Sequence, residues 1–441
     1  MFRSVKRFYP RGGLWRHGDF MKLWTGQTIS EFGTQVSQLA IPLVAVVSLK
    51  ASAFEVASLG TVQFLPFILF TLPAGVWVDR LSRRMVLIVG DLGRALLLAT
   101  IPIAYLLDNL TLGQLYIVGF LVGILTVFFD VAYQAYLPSL VNKEELVEGN
   151  AKLQTTVSGA WIAGPGLAGA LISAITAQYA ILVDAVSFVV SGGFTGAIRK
   201  RETPPPKPEQ KPRMRAELWE GLRYVLGHRL LRPQAISTGV SNFFSNVVYS
   251  ILVVFAVRSL HLSPALIGVA FMGGGVGWLL GSLSAPRLGS RLGVGRATIV
   301  GAAMSGPGSL LVALSPKGFP LPTLIAGGIV GGFGAVAYNI QQVSLRQTIT
   351  PARLQGRMNA VMRFLVWGTI PLGSLTGGAL ASTIGLRKTL VVGAIGGFTS
   401  VLPIVLSPIR ALQEFPEPEP ELEPFEPGLV PAAPMPAAPD A

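Results

Sequence analysis

An all-α integral membrane fold, with twelve transmembrane helices in two duplicated six-helix bundles, is the architecture predicted for this chain of 441 residues. Three observations lead there. Apolar runs long enough to cross a bilayer follow one another along the chain, basic residues gather in alternate breaks between them, and short landmarks of the first half recur in the second. Composition agrees, since 51% hydrophobic residues against 13% charged and a mean hydropathy of +0.57 exceed what a single water-soluble core needs.

A helix needs about 20 apolar residues to cross the hydrocarbon layer. Runs of that kind place spans at 20–48, 54–78, 85–107, 112–137, 149–172 and 177–198, then at 234–258, 264–287, 296–315, 320–345, 357–382 and 388–408. They are too long and too continuously apolar for the alternating strands of a membrane barrel, and lipid satisfies no backbone group, so each span is expected to be a helix. The expected organisation is a cytoplasmic segment 1–19, an N-terminal bundle 20–198, a cytoplasmic linker 199–233, a C-terminal bundle 234–408 and a disordered Pro- and Glu-rich tail 409–441. The N-terminus has basic residues but no short apolar core ending in a small-residue cleavage site, so no removable signal peptide is expected. Within the linker, Pro204-Pro205-Pro206 forms a stiff stretch. Beyond it Leu218, Leu222, Val225, Leu226 and Leu230 fall at helical spacing beside Arg223, Arg229 and Arg232, which predicts an amphipathic helix on the inner leaflet.

A net charge of +13 would suit a nucleic-acid partner, but the distribution decides otherwise. Arg80, Arg83, Arg84, Lys143, Arg287, Arg291, Arg346, Arg353, Arg357 and the linker cluster fall on one side, and only Lys50, Arg258, Lys317, Arg387 and Lys388 on the other. The excess marks the cytoplasmic face, puts both termini there in a multi-pass cell-membrane protein, and accounts for the charge without nucleic acid. The chain has no cysteine, which excludes disulfides and thiol chemistry. Its three histidines, His17, His228 and His261, sit at edges or loops and form no metal constellation, and no nucleotide-cradling loop is present. No cofactor, metal or enzymatic activity is expected, and the chain is expected to act as a monomer.

The duplication shows at several points. Gly75-Val-Trp-Val-Asp79-Arg80 has a worn counterpart in Gly281-Ser-Leu-Ser-Ala285-Pro286, Asn150-Ala151 matches Asn359-Ala360, and Gly169-Ala170-Leu171 matches Gly378-Ala379-Leu380. Between spans two and three lies Gly75-Val76-Trp77-Val78-Asp79-Arg80-Leu81-Ser82-Arg83-Arg84. Gly75 allows close helix approach, Asp79 can face a helix N-terminus, and Arg83 or Arg84 can reach a second carboxylate. The same arginines also satisfy the positive-inside rule, and that plainer reading stands beside the first.

This loop resembles the signature loop of the major facilitator superfamily, in which a glycine, an aspartate and basic residues lock an inner gate between the halves. The stretches Phe128-Phe129-Asp130-Val131-Ala132-Tyr133, Glu148-Gly149-Asn150-Ala151-Lys152-Leu153 and Leu182-Val183-Asp184-Ala185-Val186-Ser187-Phe188 are similar to the prokaryotic exporter branch that includes macrolide, tetracycline and enterobactin efflux proteins. The resemblance implies the major facilitator fold, export of amphipathic drugs or metabolites, alternating access, protons as coupling partner and a gate role for Asp130. Ala160-Trp-Ile-Ala-Gly164-Pro165-Gly166-Leu167-Ala168-Gly169 looks like the antiporter motif of these exporters, with Ala160 and Ala168 in place of glycines; an ordinary kink at a helix contact would explain Gly164 and Pro165 as well. A second departure is the absence of an arginine from span four. Narrower readings remain open: a dedicated exporter of one endogenous compound such as a siderophore or lipid-like molecule, or a membrane sensor that moves nothing.

Charges inside lipid are costly and therefore mark function. No Asp or Glu occurs from Gly221 to Gln413, so a carboxyl proton carrier has to sit in the first half. Glu31 lies near mid-membrane in span one, with Gln27, Thr34 and Gln38 on its helical face. It is expected either to exchange a proton or contact a cationic ligand, or to be a structural carboxyl. Asp91 and Arg94, one turn apart, are expected to pair structurally. Asp184 is expected to be structural, with a proton role in reserve. Asn242, Asn246 and Tyr249 on span seven and Tyr338, Asn339 and Gln342 on span ten are candidate walls for a substrate cavity, polar and aromatic without an anion. Arg363 in span eleven suits either an anionic ligand or a gate contact.

Overall fold

The computed structural model describes residues 13–78, 80–200 and 214–416. The expected start of the N-terminal segment, Asp79, the Pro204-Pro205-Pro206 stretch and the tail beyond 416 lie outside the described residues. The tail expected to be disordered from 409 is folded at its start: Ile409 is buried in the second-half core, and the Leu412 and Gln413 carbonyls accept from Gly295 and Val294. All regular structure among the described residues is helical. The first half contains α1 (Gly18–Leu43), α2 (Ala53–Val78), α3 (Arg83–Leu106), α4 (Leu112–Leu140), α5 (Leu146–Ile175) and α6 (Ala177–Gly196). A linker helix α7 (Met214–Gly227) precedes α8 (Leu231–Arg258), α9 (Pro264–Leu292), α10 (Val294–Ala303), α11 (Ser305–Ala313), α12 (Leu321–Ile349), α13 (Ala352–Trp367), α14 (Thr369–Ile384), α15 (Leu386–Thr399) and α16 (Leu402–Val405). These make twelve spans, with α10 and α11, α13 and α14, and α15 and α16 each sharing one.

The three broken spans were expected to be continuous, and proline accounts for each break. A proline ring clashes with the carbonyl four residues back. Those carbonyls belong to Ala303 for Pro307, Trp367 for Pro371 and Thr399 for Pro403, the last residues of α10, α13 and α15. Ten spans are long and apolar by length and composition. The others are the broken α10–α11 span and α1, whose polar residues from Gln27 to Gln38 dilute it.

We call the face of the bundle that carries residue 13 and the α2–α3 turn the N-side, and the opposite face the far side. Apolar packing differs sharply between them. On the far side one core joins both halves, drawing Val36–Val46, Leu59, Ala168 and Ile172 together with Val248, Ile251, Phe255, Ile267, Leu324 and Leu390. On the N-side two cores stand apart: Leu14, Phe20, Leu87, Phe129, Tyr136 and Ile198 in the first half, and Leu231, Leu345, Ile349, Met358 and Ile404 in the second. The halves are therefore joined at the far side and separated by a cleft at the N-side.

Two seams make the junction, and glycine permits both. At the α5–α9 seam, a Cβ on Gly169 would stand 2.4 Å from the Pro264 carbonyl oxygen and one on Gly268 2.2 Å from that of Pro165. At the α2–α14 seam, a Cβ on Gly378 would stand 2.7 Å from Ala57 and 2.9 Å from the Phe54 Cα. Gly169 and Gly378 are the matched glycines of the sequence repeat, so the duplication reappears as two equivalent contacts between halves. Aromatic side chains bound each seam toward the cleft: Trp161 stacks on Trp278, with centroids 5.7 Å apart, and Trp367 meets Phe64 and Phe67 edge-on.

Helix α7, expected to be amphipathic, turns part of its apolar stripe onto the second half. Its Val225 is fully buried in the second-half core, Tyr224 donates to the Ile349 carbonyl at 3.4 Å, and Glu220 accepts from Arg353 at 2.8 Å and also from Arg357. Of the apolar stripe, Leu222 and Val225 pack into the second-half core, and Gly221 lets the backbones of α7 and α13 close to contact. Trp219 and Leu226 on the same helix remain exposed.

Replacing Gly268 by valine drives a Cβ into backbone that cannot move aside, and overpacking of this kind costs about 1–3 kcal/mol. Thermal unfolding of the purified protein is expected several degrees lower for Gly268→Val and unchanged for Gly159→Ala, where the added Cβ meets nothing within 4 Å.

Candidate functional site

The polar residues of α1 divide between two surroundings. Glu31 and Thr34 are half-buried and Gln38 is exposed to the space between the halves. Gln27 was expected on this same face but is buried, donating to the Ser191 hydroxyl of α6 at 3.4 Å. The reason is the tight α1–α6 contact: a Cβ on Gly26 would stand 3.2 Å from the Ser191 Cα, and one on Gly33 2.1 Å from the Ser187 hydroxyl. Gln35, not singled out from sequence, lines the cavity beside Gln38. Its Cγ fills the space left by Gly164, where a Cβ would stand 2.4 Å away. Gly164 thus receives α1, while Pro165 and Gly169 belong to the seam with α9.

Around Glu31 the first half assembles a charge cluster. Asp130 on α4 and Arg94 on α3 are within its electrostatic reach, and Arg94 also acts on Asp130 and on Asp184. Arg94 is 5% exposed and donates to Asp91 at 2.7 Å and to the Gly90 carbonyl at 3.2 Å. Its guanidinium lies 4.2 Å from the ring centres of both Phe129 and Phe188. Asp184 is 1% exposed, accepts from Ser187 at 3.0 Å and sits against Gly33. Helix α6 packs against both α1 and α3, which brings Asp184 inside.

The candidate gate is on the N-side, where the halves are apart. Arg83 donates to the Ala135 carbonyl at 3.1 Å and Arg84 to the carbonyls of Thr195 at 3.2 Å and Gly196 at 2.5 Å. Each holds the α2–α3 turn to its own half. Arg80 is exposed. Asp130 is open to the cleft and belongs electrostatically to Arg94, while Arg83 binds α4 more than a helical turn further toward the N-side. Gly75 was expected to allow a close helix approach, yet among the described residues no atom lies within 4 Å of where its Cβ would stand. Helix α2 meets α14 only nearer the far side.

The candidate walls of the second half also divide. Tyr249 lines a cavity of about 390 Å³ together with Gln35, Gln38, Trp161, Phe271 and Trp278. No charged side chain lines it, and Gln35, Gln38, Ser245 and Ser309 supply most of its polarity. Tyr338 is 7% exposed, packs against Gly301 of α10 and bonds Thr238 of α8 at 2.7 Å, so it belongs to the packing of the second half and not to a cavity wall. Gln342 is buried and donates to Asn339 at 2.9 Å, leaving Asn339 exposed. Asn246 donates to the Asn242 carbonyl at 2.8 Å, and Asn242 to that of Val366 at 3.4 Å. Arg363 lies 4.9 Å from the Trp367 ring centre, one turn along its own helix. Trp161, Trp278 and Phe271 escaped the sequence reading because an aromatic residue in an apolar run looks the same facing lipid or cavity.

Twelve spans in two equivalent halves, with a cleft and an apolar cavity between them, define a multi-pass membrane transporter of the major facilitator type. A family model described as transmembrane secretion effector matches residues 14–429, and the chain belongs to that family. It is similar to the Multidrug efflux pump Tap of Mycolicibacterium fortuitum, 29% identical over 373 residues, or 81% of this chain and 88% of that protein. It is also similar to Macrolide efflux protein A of Streptococcus pyogenes, 28% identical over 180 residues, or 41% of this chain and 44% of that protein. Among solved structures, a bacterial homologue of the iron transporter ferroportin in an inward-facing state shares the fold, with a TM-score of 0.71 and 16% identity, covering 88% of this chain and 98% of that one.

If the cavity holds an aromatic ligand by stacking, Trp278→Ala is expected to weaken ethidium binding about tenfold, close to 1.4 kcal/mol. Tyr338→Phe, in the packing core, is expected to leave affinity within about twofold; fluorescence titration of the purified protein measures both.

Proposed function

We propose that the protein is a secondary active exporter of amphipathic drugs or metabolites that works by alternating access and is driven by proton influx. The carrying observation is the split of the apolar core, continuous at the far side and parted at the N-side. Two bundles that touch along two short seams can rock about them, closing one side as the other opens. The excess of basic residues at the N-side makes that face cytoplasmic, with both termini inside the cell membrane. The cleft then faces inward, ready to load.

A largely apolar cavity with a few amide and hydroxyl groups suits large amphipathic molecules held by stacking and sparse hydrogen bonds. The names of the similar proteins, a multidrug pump and a macrolide efflux protein, support the same substrate class. After loading, Asp79, Arg80, Arg83, Arg84 and Asp130 close the inner side, and release outward follows. Glu31 takes up a proton from outside and gives it to the cytoplasm to reset the cycle. The working unit is a monomer, since both seams and the cavity lie within one chain.

Proteoliposomes loaded with ethidium under an imposed pH gradient test this reading. Wild type is expected to accelerate ethidium movement several-fold when the gradient is applied, and Glu31→Gln to transport without responding to it. A normal gradient response in Glu31→Gln removes Glu31 from coupling, and no ethidium flux in wild type removes the multidrug reading.

A further inference from the structure

The buried charges of the first half do not balance, and the imbalance points to a site. Asp91 and Asp184 are 0% and 1% exposed. They lie on α3 and α6, about 12 and 18 Å from the N-side helix ends at about 1.5 Å per residue. One cation, Arg94, lies among them, and its direct ion pair is with Asp91 Oδ1. The Asp184 carboxylate accepts a hydrogen bond from the neutral Ser187 hydroxyl but has no cation within salt-bridge distance among the described residues. Asp91 Oδ2 is buried and has no hydrogen-bond partner among them. Two buried carboxylates facing one guanidinium leave a negative charge uncompensated in a span, an arrangement that protonation relieves.

Arg94 is placed to serve both sides of this arrangement. Phe129 and Phe188 cover the guanidinium from α4 and α6, and the Gly90 carbonyl takes its Nε, so the cation is held in position. The groups that act electrostatically with it are Asp91 on its own helix, which it contacts directly, Asp130 on α4, Asp184 on α6 and Glu31 on α1, and Tyr133 of α4 feels both Glu31 and Asp130. Glu31 and Asp130 adjoin the cleft, and Asp91 and Asp184 are sealed away from it.

We propose that Asp91 and Asp184 together retain one proton, and that Arg94 is the positioning residue linking these two buried carboxyls to the cleft-facing carboxyls Glu31 and Asp130. A proton arriving from water at Glu31 or Asp130 reduces that carboxyl's claim on the Arg94 charge and strengthens the arginine's hold on Asp91 and Asp184. This favours transfer of the stored proton to whichever of Glu31 and Asp130 is still ionised, and through it to the cleft. Loss of a proton from the cleft acts in reverse. The proposal rests on the proton-coupled reading above for its role in transport, but the stored proton itself does not.

Infrared spectroscopy of the reconstituted full chain, without substrate or gradient, reads protonated carboxyls directly. Wild type is expected to show a protonated-carboxyl band at neutral pH that falls by at least half in Asp184→Asn. In Arg94→Gln, the titration midpoint of the band and the pH midpoint of ethidium transport are both expected to rise by about one pH unit, because a cation that favours the ionised carboxyls is gone. Arg94→Lys, which keeps the charge, is expected to hold both midpoints near wild type. If Arg94→Gln does not fold, Arg94→Lys and Asp184→Asn carry the test. Absence of the band in wild type at neutral pH, or its persistence at full strength in Asp184→Asn, overturns the proposal. A band that behaves as expected while ethidium flux ignores the gradient leaves the stored proton standing and refutes proton-coupled export alone.

Discussion

Backbone meeting backbone at the two glycine seams is the constraint on which the rest of the structure depends. Gly169 and Gly268 bring α5 against α9, and Gly378 brings α14 against the first turns of α2, at distances where any side chain would collide with a carbonyl or a Cα. Lipid supplies no hydrophobic drive for helices to associate, so close van der Waals approach of small residues does that work. Because both seams lie toward the far side, the halves are fastened there and free to part at the N-side. The aromatic contacts of Trp161 with Trp278 and of Trp367 with Phe64 and Phe67 mark where fastening ends and cleft begins.

That geometry assigns unlike tasks to the halves. The second half, from Gly221 to Gln413, has no carboxylate, and it contributes Tyr249, Phe271 and Trp278 to an uncharged cavity. Its basic N-side residues Arg353 and Arg357 find their anion in Glu220 of the linker helix, just outside that stretch. The first half concentrates Glu31, Asp91, Arg94, Asp130 and Asp184 at similar depths on four helices. The cavity and the charge cluster thereby lie on different surfaces of the same cleft, with Gln35 and Gln38 of α1 one to two turns from Glu31. A motion that closes the cleft acts on both at once.

Much of this was legible in the sequence because bilayer thickness and backbone satisfaction leave few options. Twelve spans, two halves and the matched glycines Gly169 and Gly378 followed from run length and repetition. The helix breaks after Ala303, Trp367 and Thr399 did not, since other prolines, such as Pro66 and Pro102, sit inside unbroken helices. Facing was the harder problem. Gln27 and Gln38 share a helical face, yet one is buried against α6 and the other opens to the cavity, because neighbours change along a long helix. Tyr338 and Tyr249 looked alike as residues and have opposite surroundings. Arg94 and Asp184 were undervalued because a single helix cannot show that α3 and α6 bring their charges together.

The central claim is that the seams act as a fulcrum, so that the two sides move in opposition. Since the chain has no cysteine, spin labels can be placed at will, at Asn150 and Gly356 on the N-side and at Asn109 and Lys317 on the far side, all exposed. Pulsed electron spin resonance on both pairs, across pH and with ethidium, tests the claim most directly. The account predicts a shorter N-side distance accompanied by a longer far-side distance in the same population. Distances that stay fixed under every condition, or that lengthen and shorten together, would contradict it.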